Sequence, residues 1–412
     1  MKRKIIVLGA GIQGCCTALE LANRGFQVDL VDQDSIPFNR SSIRNEGKIH
    51  LGLVYVNDPG FETPKLMLKA AFSFTENLSR WIGDASSELN ISTPFYYLVS
   101  DKSFLTFDEL ESRYDRLEQI YQEKRRVDKN STYLGRAPGR LTQKCSEETL
   151  SKYFNTGDLQ GGFKTNEFAI DTFNLAKHIR KSVKNHSNIT FLSGHFVEGI
   201  SRNGSGYIVE GRNEKTGWKM KSLQVVNATW TDKFRLDETL GISPPEGILH
   251  RLKYRVIADI PKEMRNHPSV TMVIGRFGDV VIRPNNTAYI SWYPDACRGW
   301  SNSTQAPKSW EESTRGIVPK EDFNEISDRF IRETEKWYPA IRNCKPRIVD
   351  AGIIVAHGTT DVDDKESRLH KRTKIGVTSY DGYHSVDTGK LTAAPMFALE
   401  TAEHVDHVFQ QL

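Results

Sequence analysis

The stretch KIIVLGAGIQGCCTALELANRGFQVDLVD, residues 4–32, decides the fold. Residues 5–8 form a short apolar run of strand type, and Gly9, Gly11 and Gly14 follow at once in G-x-G-x-x-G spacing. That order predicts a strand, a tight turn and a helix start. Gly9 lets the chain turn, Gly11 lets the backbone approach a pyrophosphate, and Gly14 lets the new helix lie against its strand. Phosphates would sit at the helix N-terminus, where unpaired N–H groups and the dipole favour negative charge. The helix turns Ala18 and Leu21 to the sheet, breaks at Gly25, and hands over to a second strand, 27–31, ending in Asp32. An acid there accepts hydrogen bonds from a ribose hydroxyl and repels a 2′-phosphate, which argues against NADP.

Met1-Lys-Arg-Lys ahead of residues 5–22 has the outline of a secretory signal. Gln13, Thr17, Glu20 and the glycines interrupt the apolar run, and no small-residue cleavage site precedes Asp32, so the segment reads as a folded N-terminus. The 412 residues predict two domains. A net charge of +4, spread without a long basic block, favours an anionic small-molecule partner over nucleic acid. No apolar run reaches the length of a membrane span. The five cysteines include no C-x-x-C pair, so neither a disulfide framework nor a metal site is expected, and a reducing cytoplasm fits best.

Beyond Asp32 a polar loop carries Ser41, Ser42 and Asn45 into Glu46-Gly47-Lys48-Ile49-His50. Its hydroxyl and amide groups suit either a cofactor's phosphates or an ordinary solvated loop. His50 stands open as a cofactor contact, a point of covalent attachment or a core histidine. Helices are expected over 63–81, 106–126, 171–183 and 321–338, and strands over 91–99, 188–191, 207–210 and 223–227. The segment 225–230, ending in Thr229 and Trp230, closes an apolar strand in small residues suited to contact with a ligand. From 249 to 293 the alternation becomes β-rich, and Pro284-Asn-Asn286 joins 279–283 to 287–293 as a hairpin, predicting a second, antiparallel sheet. Residues 301–314 read as linker. Near the C-terminus a strand over 374–378, a loop over 379–387 and a helix opening at 388 repeat the anion-facing pattern of the N-terminus.

With these residues laid out, the chain resembles the flavin-dependent D-amino acid oxidase superfamily, which includes glycine oxidase, sarcosine oxidase and glycerol-3-phosphate dehydrogenase. The N-terminal fingerprint, the Ser41-to-Gly47 loop, the strand ending at Trp230 and the terminal 382–390 segment carry the likeness. It implies an α/β plus α+β fold: a Rossmann-like FAD-binding domain assembled from 1–75, 150–245 and 345–412, with an antiparallel-sheet substrate domain from 76–149 and 246–344. Gly9, Gly11 and Gly14 then match the pyrophosphate turn, and Asp32 with Gln33 the ribose. Ser41, Ser42, Asn45, Glu46 and Gly47 fall beside the phosphates and ring, Val197, Thr229 and Trp230 near adenine, and Gly389, Lys390 and Leu391 at the flavin's pyrimidine edge.

A cation at Lys390 would favour the reduced, anionic flavin. Many relatives carry an arginine near the final sheet strand, whereas residues 351–357 here read AGIIVAH, so either another cation anchors the substrate or the substrate has no carboxylate there. Arg283 is the first choice, with Tyr293, Tyr254 and His384 as companions, and Arg255, Arg368 and Arg372 as alternatives. The implied activity is hydride removal from an amine-bearing carbon of a small amine or amino acid. The alternatives are a dehydrogenase of a hydroxy acid or polyol phosphate and a non-catalytic flavin-binding regulator. The electron acceptor, oxygen or a carrier, and the oligomeric state are left open.

Overall fold

A computed structural model describes residues 3–362, 364, 367 and 371–411. The apolar run becomes strand Lys4–Leu8, and it lies inside a six-stranded sheet ordered 376–380, 383–387, 225–227, 4–8, 27–31, 189–192. All neighbours are parallel except the edge hairpin Gly376–Tyr380 with Tyr383–Asp387. The sequence predicts a loop over 379–387. Tyr383–Asp387 is instead a wholly buried strand lying parallel to Val225–Asn227, so both termini of the chain enter one sheet.

Helix Ile12–Asn23 is buried along its length, between this sheet and the C-terminal helix Ala394–Gln411. Enclosure on all sides explains its apolar and small residues, and it also requires Glu20 to be paired. Glu20 is fully buried, bonded to Arg24 and Arg80 at 2.9 Å and to Trp81 Nε1 at 3.1 Å.

The second sheet has nine strands, ordered 297–301, 248–259, 287–292, 278–282, 269–273, 95–100, 159–165, 142–144, with 345–357 paired along 248–259. The expected hairpin over 284–286 joins Gly278–Ile282 to Thr287–Trp292. The sheet is not purely antiparallel, because Ser269–Val273 runs parallel to Phe95–Ser100. No tight turn joins those two strands, so antiparallel pairing is not imposed. Leu159–Thr165 and Lys345–His357, assigned from sequence to the nucleotide domain, hydrogen-bond into this second sheet. The linker expected over 301–314 contains a short turn at Lys308–Trp310 and opens helix Glu311–Arg315. The helices Glu62–Ile82, Phe107–Val127, Thr172–Asn185 and Lys320–Glu335 fall where periodicity places them, with Thr106 and Asp171 as caps. No described helix is long and apolar enough to cross a membrane.

Candidate functional site

A long cavity runs from the N-terminal fingerprint to the start of the C-terminal helix, enclosing about 1600 Å³ including its open mouth. Gly9 lies at its head with φ +87°, and a Cβ there would meet Ala228 O at 2.7 Å. A Cβ on Gly14 would lie 1.7 Å from Gly9 O, so that glycine is fixed by helix–strand packing. Gly11 faces Ser42, whose Oγ accepts from Ile12 N at 2.8 Å. One amide of the helix start is thus already satisfied by the loop, where the sequence suggested a set of unpaired donors.

Asp32 is held by backbone on both oxygens: Ala10 N donates to Oδ2 at 2.6 Å and Asp34 N to Oδ1 at 2.8 Å. Burial pushes its carboxyl up to about 6, against the pull of those two amides. Each oxygen keeps a further lone pair for a ribose hydroxyl. Gln33, Val197, Thr229 and Trp230 continue the same wall. Arg235 braces it by donating to Val197 O at 2.8 Å and Glu198 O at 2.9 Å.

The Ser41-to-Gly47 loop is bolted from the far side. Arg255 forms a buried ion pair with Asp350 and donates to Ile43 O at 2.8 Å and Asn45 O at 3.1 Å. Ser41 Oγ accepts from Ile353 N at 3.0 Å, and the Asn45 side chain closes the turn by bonding Ser41 O, Ser42 O and Gly47 N. Gly47 itself lies behind the wall, where a Cβ would meet Ile170 O at 2.0 Å.

The inner end of the cavity is lined by Glu46, Lys48, His50, Lys253, Gly389, Lys390 and Leu391. Asp279 sits behind Lys48 at 3.3 Å and Lys253 at 3.7 Å. Burial works to raise the carboxyls of Glu46 and Asp279, but the lysines outweigh it and lower both, Glu46 to about 2. Burial lowers Lys253, but Tyr289, Asp279 and Glu46 more than compensate and raise it. For Lys390 the pull of Glu46 is outweighed, and burial with the Arg372 charge brings it down to about 7. Burial together with Lys390 and Lys48 keeps His50 well below its ordinary value, so its ring is neutral. His50 N also donates to Thr392 Oγ1 at 2.9 Å, tying the N-terminal segment to the C-terminal turn.

Four expected substrate residues lie elsewhere. Arg283 is buried with Nη1 3.6 Å from Asp171 and does not line the cavity. It shares a strand face with Asp279 but stands four residues on, ~13 Å along the strand. Tyr254 follows Lys253 on the same strand and therefore faces the other way, against the Trp230 cluster. Tyr293 is engaged behind the site, donating to Asp361 and accepting from Arg251, both at 2.6 Å. His384 is fully buried in the parallel sheet, bonded to Ser379 and Gln224. Of the alternatives, Arg255 serves the loop, Arg372 donates to Val355 O at 3.1 Å, and Arg368 lies outside the described residues.

Lys48, Lys253 and Asp279 were missed, although two of them carried a signal. Glu46, Lys48 and His50 alternate, as do Arg251, Lys253 and Arg255, and strand alternation puts each trio on one face.

The DAO family, FAD dependent oxidoreductase, matches residues 4–403. The fold is similar to L-alpha-glycerophosphate oxidase from Mycoplasma pneumoniae, solved with FAD bound, at 18% identity and TM-score 0.65 over 98% of this chain and 94% of that one. It is similar to glycine oxidase from Geobacillus kaustophilus at 13% identity and TM-score 0.68, and to iminodiacetate oxidase from Chelativorans sp. BNC1 at 13% and 0.70, each over 98% of this chain and 95% of the other. A 52-residue stretch is 42% identical to the bifunctional protein MnmC of tRNA 5-methylaminomethyl-2-thiouridine biosynthesis from Pseudomonas savastanoi pv. phaseolicola. That stretch covers 13% of this chain and 8% of the relative.

Proposed function

The chain belongs to the DAO family of FAD-dependent oxidoreductases, with FAD as its cofactor, and from that premise we propose that it oxidises a hydroxyl-bearing carbon of a small anionic molecule, a hydroxy acid or polyol phosphate. The observation that carries this reading is the placing of a buried imidazole, His50, in one cavity wall with the side chains of Lys48, Lys253 and Lys390.

FAD, when bound, would supply the two-electron acceptor for hydride from the substrate carbon. The lysines attract an anionic substrate and orient it against the cavity floor, at a site where water screens them weakly. They also repel an ammonium group, which weighs against an amino acid entering in its usual zwitterionic form. A hydroxyl needs somewhere to leave its proton, and His50, uncharged and lining the cavity, is the acceptor. Glu46, ionised and facing the lysines, keeps their charge from closing the site to all but dianions.

An amine-bearing carbon is the second reading. Lys390, brought down to about 7, would take the proton that an incoming ammonium must lose. The five cysteines are all free thiols, which supports a reducing, cytoplasmic setting.

Anaerobic mixing of the FAD-loaded protein with a panel of hydroxy acids, polyol phosphates and amino acids tests the choice. Bleaching of the yellow chromophore by a hydroxyl-bearing anion is expected. Bleaching by amines alone would overturn the first reading in favour of the second.

A further inference from the structure

Behind the lysine-lined floor lies a carboxylate that the reading above does not use. Antiparallel pairing of Lys48–Ile49 with Phe168–Ala169 sets Glu167 beside His50. The Tyr133 hydroxyl fastens this short ladder, donating to Ile49 O at 2.7 Å and accepting from Phe168 N at 2.9 Å. Glu167 is wholly buried; its Oε2 accepts from Leu51 N at 2.6 Å and its Oε1 accepts from the Tyr97 hydroxyl. Both oxygens are acceptors, the pattern of an ionised carboxylate. Burial holds the acid above its ordinary value even though the Lys48 charge and these two donors work against that rise. His50 Nδ1 is buried without a hydrogen-bond partner, 3.9 Å from Glu167 Oε1.

We propose that Glu167 is a positioning residue for His50, holding the neutral ring with its proton on Nδ1 so that Nε2 is the free base, and drawing closer as the ring becomes charged. The inference rests on His50 as the proton acceptor. In that step the substrate O–H bond breaks and an Nε2–H bond forms. Nδ1 keeps its proton throughout, and the Glu167 carboxylate offsets the ring's new charge without taking the proton itself.

The surroundings explain why such a partner is needed. Lys48, Lys390 and Arg372 oppose a charged ring and Asp279 favours it. Glu46 lies 3.8 Å from Nε2 but is drawn to Lys390, Lys253 and Lys48. The Tyr55 ring meets the imidazole edge-on at 5.2 Å. Glu167 is therefore the counter-charge on the ring's buried side.

The test is nitrogen NMR of the FAD-loaded protein labelled with ¹⁵N-histidine, with the His50 signals assigned by their loss in H50N. The wild type should show the Nδ1–H form. E167Q should move the tautomer ratio about tenfold towards Nε2–H, the effect of losing a charge 3.9 Å from Nδ1, and E167D, which keeps that charge, should move it back towards Nδ1–H. An Nε2–H ring in the resting wild type, or an unchanged ratio in E167Q, would overturn the proposal, and the wild-type spectrum decides even if the variants do not fold. Because no substrate is present, this outcome is separate from the bleaching panel that tests the reading itself.

Discussion

Arg255 meets Asp350 through two hydrogen bonds, 2.6 Å from Nε to Oδ1 and 3.2 Å from Nη2 to Oδ2, at the place where the second sheet backs the cofactor loop. The spare Nη1 reaches Ile43 O and Asn45 O, so one guanidinium locks the loop's backbone to neighbouring strands of that sheet. In R255M the loop loses that lock, and among the described residues Asp350 keeps only Arg44, at 3.2 Å. We expect a loss of about 3 kcal/mol in stability, the lower end for breaking a buried pair, because the second arginine remains. Urea denaturation reads that loss. Fluorescence of released FAD should show weaker cofactor binding in the same variant, with Lys48, Lys253 and His50 untouched.

At Asp32, burial pushes the carboxyl up to about 6. In the protein freed of FAD, the folded side chain retains a proton that the unfolded chain has released between 3.8 and about 6, so Asp32 makes stability fall as pH rises through that window. FAD binding should run the other way, because the ionised acid is the stronger acceptor for ribose hydroxyls. Titrating FAD into the wild type should show affinity declining as pH drops below about 6. D32N should bind roughly 10- to 100-fold more weakly at neutral pH and lose most of this pH dependence. A wild-type affinity that is flat across the window would contradict the assignment.

The nucleotide unit was legible because its signals are local. Strand, glycine turn, helix and terminal acid occupy residues 4–32, and each has a backbone reason that needs no knowledge of distant contacts. The inner end of the site was legible only in part, because it is assembled from three remote segments. Lys390 was found through its place at a helix start. Lys253 was visible in principle, since Arg251, Lys253 and Arg255 must share a strand face, but only the register against 287–292 and 345–357 shows that this face adjoins the cavity. Asp279 carried no such mark. Glycines and charges interrupt the alternation in the short strands 159–165 and 196–203, and 217–222 alternates on only two apolar residues, Trp218 and Met220. His384 misled for a related reason: its segment read as a loop, and only pairing with 225–227 makes it an interior strand.

Lys390 gives a second pH signature, of opposite sign to that of Asp32. Its ammonium is brought down to about 7 by burial and by Arg372, while in the unfolded chain it titrates at 10.5. Between those values the unfolded state binds the extra proton, so stability gains as pH rises through the window. Below pH 7 both states are protonated and the folded protein bears the full cost of the buried charge. K390M abolishes this contribution. The difference in urea midpoint between FAD-free wild type and K390M should therefore shift in favour of the wild type from pH 7 to 10, with a slope of at most about 1.4 kcal/mol per pH unit. A difference that stays constant with pH would show that Lys390 is solvated in the folded protein.

Arg283 was the substrate anchor expected from sequence, and its surroundings predict the opposite of what an anchor would do. Its guanidinium is fully buried, none of its three nitrogens has a hydrogen-bond partner, and burial brings it down to about 10. Asp171, its counter-charge at 3.6 Å, is separately satisfied by Phe173 N and by Asn285, both at 3.0 Å. Replacing an under-bonded buried cation by an apolar chain of similar length removes a desolvation cost and leaves that acid with two other donors. R283M leaves the Asp171 carboxylate buried with two neutral donors and, among the described residues, no counter-charge, so it should lose stability, though by less than the roughly 3–5 kcal/mol of a well-bonded buried pair, because the cation it removes is itself under-bonded. It should leave anaerobic flavin bleaching by the active panel member unchanged, because the side chain does not line the cavity. K253M, by contrast, removes a cation from the cavity wall and should weaken the same substrate by about tenfold or more. If R283M instead abolished bleaching while remaining folded, the anion would have to bind from the Asp171 side, and the lysine-lined floor would not be the substrate's seat.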